Sequence, residues 1–179
     1  MKHWYFDNCY YFITRPTINK EKLFNSDEKK RIILNRLTSA QKKFSFSLHA
    51  FSIISNHYHY LIFLSKGDVL PKLEQFIAGG SSHELNTLNN IKRSIWDEYW
   101  EKVVDEEKLD KVLGYILGNL LKHGEAKDFN ELKNSPFTSY KQAVAQYGEE
   151  TIQDLILSVN ALDLENRTNF EKLFKSLAR

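Results

Sequence analysis

The sequence predicts an α+β fold in which helices pack on a four-stranded antiparallel sheet. Segments 10–14, 44–50 and 57–64 are rich in aromatic and β-branched residues, which predicts strands. Segments 28–43 and 105–123 carry apolar residues at helical spacing. Along the chain the predicted order is strand, helix, strand, strand, helix, strand, helix. This order is typical of a small antiparallel sandwich.

The length and composition suit one domain with an appended segment. The chain has 179 residues, of which 42% are hydrophobic, and this is enough to bury a core. We expect a domain over residues 1–141 and a C-terminal helical extension over residues 142–179. The extension ends in a further predicted helix that includes Phe170 and Leu177.

The sequence predicts a cytoplasmic protein. Its single cysteine, Cys9, excludes an intrachain disulfide, which is typical of a reducing compartment. The N-terminal stretch meets Asp7 before any apolar run forms, unlike a signal peptide. No segment approaches the roughly 20 apolar residues that a membrane-spanning helix needs, so no membrane partner is expected.

Positive charge is concentrated at the start of the chain. The formal net charge is +2, but residues 1–43 hold ten lysines and arginines against four acidic residues. A basic segment of this kind suits a surface that binds phosphates. A solvated helix surface gives the same count, so both interpretations stay open.

The first half of the chain gives a clear succession of elements. Ser26 can cap the helix over residues 28–43, whose outer side is basic. The alternation in segment 44–50 is broken just after residue 50, which predicts a β-bulge or a strand buried on both faces. Because the strand over residues 57–64 follows almost at once, we expect these two strands to pair as an antiparallel hairpin.

The second half continues with a helix, a strand and the clearest helix of the chain. A helix is expected to begin near Asp68 and Pro71, with Gly79-Gly80 as a kink. Residues 95–104 predict the fourth strand. The apolar stripe of segment 105–123 then predicts a long amphipathic helix.

Two histidines stand at alternate positions of the strand predicted over residues 57–64. Successive side chains of a strand point to opposite faces, so His57 and His59 share a face with Cα atoms roughly 7 Å apart. Both rings could therefore bind one metal ion. The alternative is that they are packed histidines that hydrogen-bond to their neighbours.

A tyrosine and an asparagine are neighbours on the helix predicted over residues 105–123. Tyr115 and Asn119 lie at i and i+4, about 6 Å apart, and the apolar stripe predicts that they lie away from the core. Gly114 and Gly118 beside them each cost roughly 1 kcal/mol of helix stability relative to alanine. We therefore expect close approach by another group, or motion of the helix. The alternative is a surface tyrosine packed over its own helix.

Two ordered motifs resemble those of the single-tyrosine HUH transposases, and most closely those of the bacterial REP-associated tyrosine transposases. They are Asn56-His57-Tyr58-His59 and Tyr115-Ile116-Leu117-Gly118-Asn119. The similarity extends to Ile95-Trp96, Lys122-His123-Gly124 and the segment from Pro136 to Tyr140, and covers about residues 8–141.

The sequence departs from the family pattern at three places. Ser55 and Leu120 stand where the family commonly has proline, and Tyr58 is large for a residue between the two histidines. The first two changes alter backbone stiffness without removing a reactive group.

The resemblance implies a ferredoxin-like HUH sandwich and a metal-dependent transposase that nicks and rejoins DNA. Tyr115 would be the catalytic nucleophile and form a 5′-phosphotyrosine intermediate. His57, His59 and the side-chain oxygen of Asn119 would bind a divalent metal ion, and this mixed ligation suits Mg²⁺ or Mn²⁺. The implied partner is single-stranded DNA, with a hairpin nearby. Monomer and homodimer both stay open.

Aromatic and basic side chains provide candidate DNA contacts. The aromatic content of 13% suits stacking on bases, and the basic N-terminal segment suits phosphates. The DNA-binding candidates are Tyr10, Arg15, Lys20, Lys22 and Lys122.

Two other hypotheses stay open. One is a domesticated, catalytically silent protein that binds single-stranded or hairpin DNA on the same fold. The other is a structural α+β protein whose two histidines are merely packed.

Overall fold

The computed structural model describes residues 5–159, which form a four-stranded antiparallel sheet covered by helices. The strands are β1 (Cys9–Pro16), β2 (Ser47–Ile53), β3 (His57–Leu64) and β4 (Trp100–Val104). They lie in the order β2-β3-β1-β4 across the sheet. The predicted α+β fold is confirmed.

Helices make up most of the remaining chain in this range. The α-helices are α1 (Asp27–Lys43), α2 (Leu70–Glu74), α3 (Gly80–Leu88), α4 (Leu109–Leu117), α5 (Asn119–Lys122), α6 (Phe129–Asn134), α7 (Tyr140–Tyr147) and α8 (Glu149–Val159). A π-helical segment, Gln75–Gly79, joins α2 to α3. Between residues 5 and 159, no helix has the length and apolar content needed to cross a membrane.

Local sequence signals position the first helix and the central hairpin as predicted. The side-chain oxygen of Ser26 accepts a hydrogen bond from the backbone nitrogen of Lys29 at 3.3 Å, which satisfies a free donor in the first turn of α1. β2 and β3 pair as an antiparallel hairpin. The register of that hairpin fixes which residues of β3 face each helix layer.

β3 lies in the interior of the sheet and is covered on both faces. Seven of its eight residues are buried. His57 and His59 project from one face, together with Thr14 of β1, which lies opposite His59 in the ladder. Tyr58 and Tyr60 project from the other face. We call the first the histidine face and the second the tyrosine face.

The tyrosine face carries a buried polar cluster around Glu74. The Glu74 side chain is fully buried and accepts hydrogen bonds from Tyr58 at 3.0 Å, from Tyr60, and from Arg15 Nη1 at 3.0 Å. Burial and the neighbouring Glu74 carboxylate raise the pKa of both phenols well above their ordinary value, so both stay protonated as donors. The cluster ties α2 to β3 and β1.

Two strands differ from their predicted limits. The irregularity in β2 lies earlier than expected, because the pairing with β3 shifts between Leu48 and Ala50. β4 begins at Trp100 rather than at residue 95. Trp96 instead makes an isolated bridge to Thr17. The buried ring of Trp96 holds this segment in place without extending the ladder.

The predicted kink at Gly79-Gly80 is wrong. Both glycines have helical dihedral angles, and the chain passes through them from the π-helical segment into α3. A Cβ atom at Gly80 would lie 2.6 Å from Cζ of Arg36. Glycine at this position therefore makes room for the arginine side chain, and packing overrides its intrinsic tendency to break a helix.

The helix α4, which carries Tyr115, packs closely against α8. A Cβ atom at Gly114 would lie 2.8 Å from the carbonyl oxygen of Leu155, and one at Gly118 would lie 2.6 Å from Cγ2 of Ile156. The glycines thus allow α4 and α8 to approach closely. This agrees with the expectation that another group comes close to the helix at these glycines.

The prediction that Tyr115 and Asn119 lie away from the core is wrong. Their exposed fractions are 2% and 0%. The apolar stripe of α4 predicts only the side of the helix that packs on the sheet. The helix α8 covers another side of α4, and the sequence of α4 alone does not predict this contact. The predicted helix with Phe170 and Leu177 lies outside the described residues, as does the end of the expected extension.

Candidate active site

The two histidines of β3 lie side by side on the histidine face. Their ring centres are 4.6 Å apart, and the residues are 4% and 0% exposed. The Nδ1 atom of His57 is 2.9 Å from the side-chain oxygen of Asn56, and Nδ1 of His59 is 2.8 Å from the hydroxyl of Thr14. Such bonds at Nδ1 orient the rings and direct Nε2 toward a ligand.

Tyr115 of α4 packs directly on this pair. Its ring centre is 5.5 Å from that of His59 and 6.1 Å from that of Phe12 on β1. Both contacts are edge-on, at 68° and 85°. The structure therefore brings the predicted nucleophile and the predicted metal-binding histidines together within one chain.

Asn119 is a buried amide at the start of α5. It follows Tyr115 by four residues and precedes His123 by four, so helical spacing puts it between two residues whose rings contact the histidine pair. Within residues 5–159, neither polar atom of its side chain makes a hydrogen bond. An unsatisfied buried amide is costly, and a metal ligand is one of the few roles that explains it.

These residues fit a divalent metal ion. Across the described part of the chain, no three His, Cys, Asp or Glu side chains form a metal-binding group. A metal at this site would therefore rely on His57, His59 and the amide oxygen of Asn119, leaving positions open for phosphate or water oxygens. Two imidazoles with oxygen ligands suit Mn²⁺, and open oxygen positions suit Mg²⁺.

Two further side chains surround the tyrosine and the histidines. Lys122 Nζ donates a hydrogen bond to Tyr115 Oη at 3.3 Å and lies 4.7 Å from the centre of its ring. The ring of the exposed residue His123 is 4.9 Å from that of His57. Sequence reasoning gave His123 no role, although its spacing of eight residues from Tyr115 was an available signal.

Thr14 was also missed by sequence reasoning. Its role depends on the register between β1 and β3, in which it lies opposite His59. A threonine in a strand carries no signal of its own, because the pairing register is set by contacts far apart in sequence.

Lys20 and Lys22 lie beside the loop that precedes β3. The backbone oxygen of Lys20 accepts a hydrogen bond from Asn56 Nδ2 at 3.2 Å. Lys22 lines an open groove of about 350 Å³, together with Asn25, Lys30, Ser55 and Glu125. Lys20 therefore contacts this loop through its backbone oxygen, and Lys22 shares a groove with Ser55 of the loop.

Tyr10 and Arg15 are not brought to the histidine pair. Tyr10 precedes Thr14 by four residues on β1, about 13 Å along the strand, and its ring contacts His49 and Phe63 edge-on. Arg15 projects from the tyrosine face, where it binds Glu74.

Glu125 fastens the loop before β3 to the chain after α5. One of its carboxylate oxygens accepts a hydrogen bond from the backbone nitrogen of Ser55 at 2.8 Å, and the other pairs with Lys30. Burial alone would raise the pKa of Glu125, but the bonds from Lys30 and Ser55 outweigh it and hold the pKa below its ordinary value. The carboxylate therefore stays ionised in the folded protein at neutral pH.

Comparison with known sequences identifies the family of this chain. Residues 5–119, which include both histidines, Tyr115 and Asn119, match the family described as Transposase IS200 like. The chain belongs to this family of IS200-like transposases. No curated protein matches the chain significantly.

Two solved structures resemble the chain. A REP-associated tyrosine transposase bound to a REP hairpin has a TM-score of 0.69 and 19% identity, covering 84% of this chain and 88% of the other. A protein from Deinococcus radiodurans R1 described as a transposase has a TM-score of 0.44 and 18% identity, covering 65% and 95% of the two chains. The first shares the four-stranded α+β fold.

Proposed function

We propose that the protein nicks single-stranded DNA and transfers the cut strand through a covalent 5′-phosphotyrosine intermediate, with the aid of a divalent metal ion. The observation that carries the proposal is the packing of the Tyr115 ring on the His59 ring, 5.5 Å between centres. It puts a phenol beside one of two adjacent imidazoles in a chain of the transposase family, and this supports the proposal.

Tyr115 would act as the nucleophile. Its phenolic oxygen attacks phosphorus, the phenol gives up its proton, and the bond from phosphorus to the 3′ oxygen breaks. The products are a free 3′ hydroxyl and a phosphotyrosine on the 5′ end. Because the number of phosphate ester bonds is unchanged, a second 3′ hydroxyl can attack the adduct and rejoin the strand.

His57, His59 and Asn119 would hold the metal ion, either Mg²⁺ or Mn²⁺. When bound, such an ion polarises the scissile phosphate as a Lewis acid. Asn56 and Thr14 fix the two imidazoles through their Nδ1 atoms. Asn119 follows the nucleophile by one helical turn, so whatever positions Tyr115 also positions this ligand.

Single-stranded DNA with a hairpin is the proposed substrate. The transposase of similar fold was solved with a REP hairpin, which supports the same class of partner here. Lys20 and Lys22, beside the loop that precedes β3, are the proposed phosphate-binding lysines. Tyr10 and Arg15 are proposed as contacts at a distance from it.

The site must open before a phosphate can reach Tyr115. The residue is 2% exposed, and Ile156 and Val159 of α8 line the narrow crevice beside it. Displacement of α8 is therefore part of the proposed reaction, and it is the first structural change to look for when DNA binds.

The experiment is incubation of the full chain with a labelled hairpin oligonucleotide that carries single-stranded flanks, with Mn²⁺, with Mg²⁺ or with a chelator. We expect a denaturation-resistant adduct that needs the metal. Tyr115→Phe should abolish it, whereas the exposed Tyr147→Phe should leave it unchanged. An adduct that survives in Tyr115→Phe contradicts the assignment of the nucleophile.

The burial of Tyr115 favours a second candidate, a hairpin-binding protein without turnover. Under this alternative the wild type binds the oligonucleotide with measurable affinity, yet no adduct forms across a broad oligonucleotide library. Tyr115→Phe then leaves every measured property unchanged, and the presence or absence of the adduct in the wild type separates the two candidates.

A further inference from the structure

We infer that Lys122 is a catalytic residue, whose ammonium group balances the charge on the Tyr115 phenolic oxygen while that oxygen forms and breaks its bond to phosphorus. The inference rests on the proposed strand transfer. It replaces a contact to the DNA backbone, which the sequence suggested for Lys122, with a role at the reacting atom.

The Lys122 side chain is turned back onto the tyrosine. Nζ lies 3.3 Å from Tyr115 Oη and 4.7 Å from the centre of the phenol ring. A lysine that serves only to bind DNA phosphates would extend its ammonium group into solvent. Lys122 instead is half-buried and contacts both the oxygen and the face of the ring.

The contact joins two residues of the helical segment formed by α4 and α5. Gly118 lies between Tyr115 and Lys122 along the helical path, and the backbone nitrogen of Lys122 donates to its carbonyl oxygen at 3.0 Å. A Cβ atom at Gly118 would lie 2.6 Å from Cγ2 of Ile156, so glycine at this position lets α8 pack beside the contact. Tyr115, Gly118 and Lys122 accordingly line one crevice.

The surroundings of the contact strengthen it. Ile156 and Val159 of α8 form the apolar wall of the same crevice. A charge interaction is stronger beside apolar groups than in water, because the effective dielectric constant is lower. The apolar wall strengthens the contact while α8 is in place. When α8 moves to admit DNA, the ammonium group stays beside the phenolic oxygen, because Tyr115 and Lys122 both belong to the segment formed by α4 and α5.

The positive charge of Lys122 is needed both in cleavage and in rejoining. In cleavage, Oη bonds to phosphorus, the phenol proton passes to solvent, and the departing 3′ oxygen takes up a proton. In rejoining, a 3′ hydroxyl loses its proton and attacks phosphorus, and the bond from phosphorus to Oη breaks with its electron pair left on Oη. Lys122 stabilises the negative charge on Oη in each case and transfers no proton itself.

The test compares Lys122→Met and Lys122→Arg with the wild type, and uses Lys133→Met as the matched control, because Lys133 bonds to Glu149 on the surface. Rates of adduct formation and of rejoining are measured in single turnovers at saturating oligonucleotide with Mn²⁺. We expect Lys122→Met to lower both rates by about 10²- to 10³-fold, as the loss of a charge-stabilising donor does elsewhere. Its Kd for the oligonucleotide should change little, and Lys122→Arg should recover part of the rate.

A weaker Kd with unchanged rates at saturation would show that Lys122 binds DNA and would overturn the inference. If the wild type forms no adduct, the proposed function fails and the catalytic role fails with it. If the wild type forms the adduct and Lys122→Met forms it at the same rate, only the role of the lysine fails.

A second measurement tests the inference even if Lys122→Met folds poorly, because it does not depend on activity. A double-mutant cycle with Tyr115→Phe and Lys122→Gln, followed by urea unfolding, reports whether the two side chains interact, because each replacement removes one partner of the contact. We expect coupling above the error of the cycle, and its absence overturns the contact on which the inference stands.

Discussion

At the residue scale, each histidine of the pair has its Nδ1 atom within hydrogen-bond distance of a neighbouring polar side chain. The hydroxyl of Thr14 is 2.8 Å from Nδ1 of His59, and Thr14 is 3% exposed. Thr14→Val keeps the shape of the side chain and removes that bond, so the ring loses its fixed orientation. We expect the affinity for Mn²⁺, measured by titration calorimetry, to fall roughly tenfold or more. Thr38→Val, on the exposed side of α1, is the control, and equal affinities in all three proteins would contradict the role of Thr14.

Glu125 makes the stability of the same region depend on pH. Its pKa in the folded protein is lowered, so its contribution is fully present above the ordinary value near 4.5 and is lost as the pH falls through the folded value. Glu125→Gln should cost about 1–3 kcal/mol at pH 7, because it removes a charge from a largely buried pair, and it should flatten the loss of stability in acid.

Urea unfolding between pH 3 and pH 7 checks the Glu125 prediction. Glu107→Gln is the matched control, because Glu107 is exposed. If Glu107→Gln reduces the loss of stability in acid as much as Glu125→Gln does, the effect comes from the net charge of the protein. The bonds of Glu125 with Lys30 and Ser55 would then not be its cause.

At the scale of elements, the packing of α8 on α4 depends on two glycines. Gly114→Ala would bring a Cβ atom within 2.8 Å of a backbone oxygen of α8, and backbone atoms cannot rotate away. Alanine gains about 1 kcal/mol in helix propensity, but overpacking typically costs 1–3 kcal/mol, so we expect a net loss of stability or separation of α8.

Gly79→Ala provides the matched control for that packing. A Cβ atom at Gly79 meets nothing within 4 Å, and the residue is helical. We therefore expect Gly79→Ala to stabilise the protein by up to about 1 kcal/mol in urea unfolding, opposite in sign to Gly114→Ala. Equal effects at the two positions would show that helix propensity rather than contact with α8 controls both.

At the scale of the whole molecule, the concentration of basic residues at the start of the chain predicts salt-dependent DNA binding. Single-stranded binding loses about 0.7 in the slope of log affinity against log salt for each phosphate contact. Replacing Lys20 and Lys22 together by methionine should therefore lower the magnitude of the slope by about 1.4, as measured by fluorescence anisotropy with hairpin DNA. As the control, Lys127 and Lys133, which lie outside the basic N-terminal segment, are replaced together by methionine. This double replacement should leave the slope unchanged.

The elements that follow from local patterns were predictable from the sequence, and those that follow from distant contacts were not. The cap at Ser26 and the alternation of His57 and His59 depend on neighbouring residues, so both could be predicted. The burial of Tyr115 depends on α8, which follows some forty residues later, and the pairing of Thr14 with His59 depends on strand register. Neither is encoded in a helical wheel or a strand pattern.

The same dependence explains which site residues were found. Tyr115, His57, His59 and Asn119 stand in two ordered motifs and could be named together, and the structure brings at least the first three into contact. Arg15 was chosen for its charge alone, and its bond to Glu74 became apparent only once α2 was packed on the tyrosine face.

The two faces of β3 have a consequence for how this protein can evolve. The histidines and the tyrosines that bind Glu74 alternate along one strand. A slip of one position would exchange them, and would displace the histidine pair and break the buried cluster in the same event. Selection for thermal tolerance alone would therefore also preserve the positions of the two histidines, and the pair would outlast the loss of any activity that depends on it.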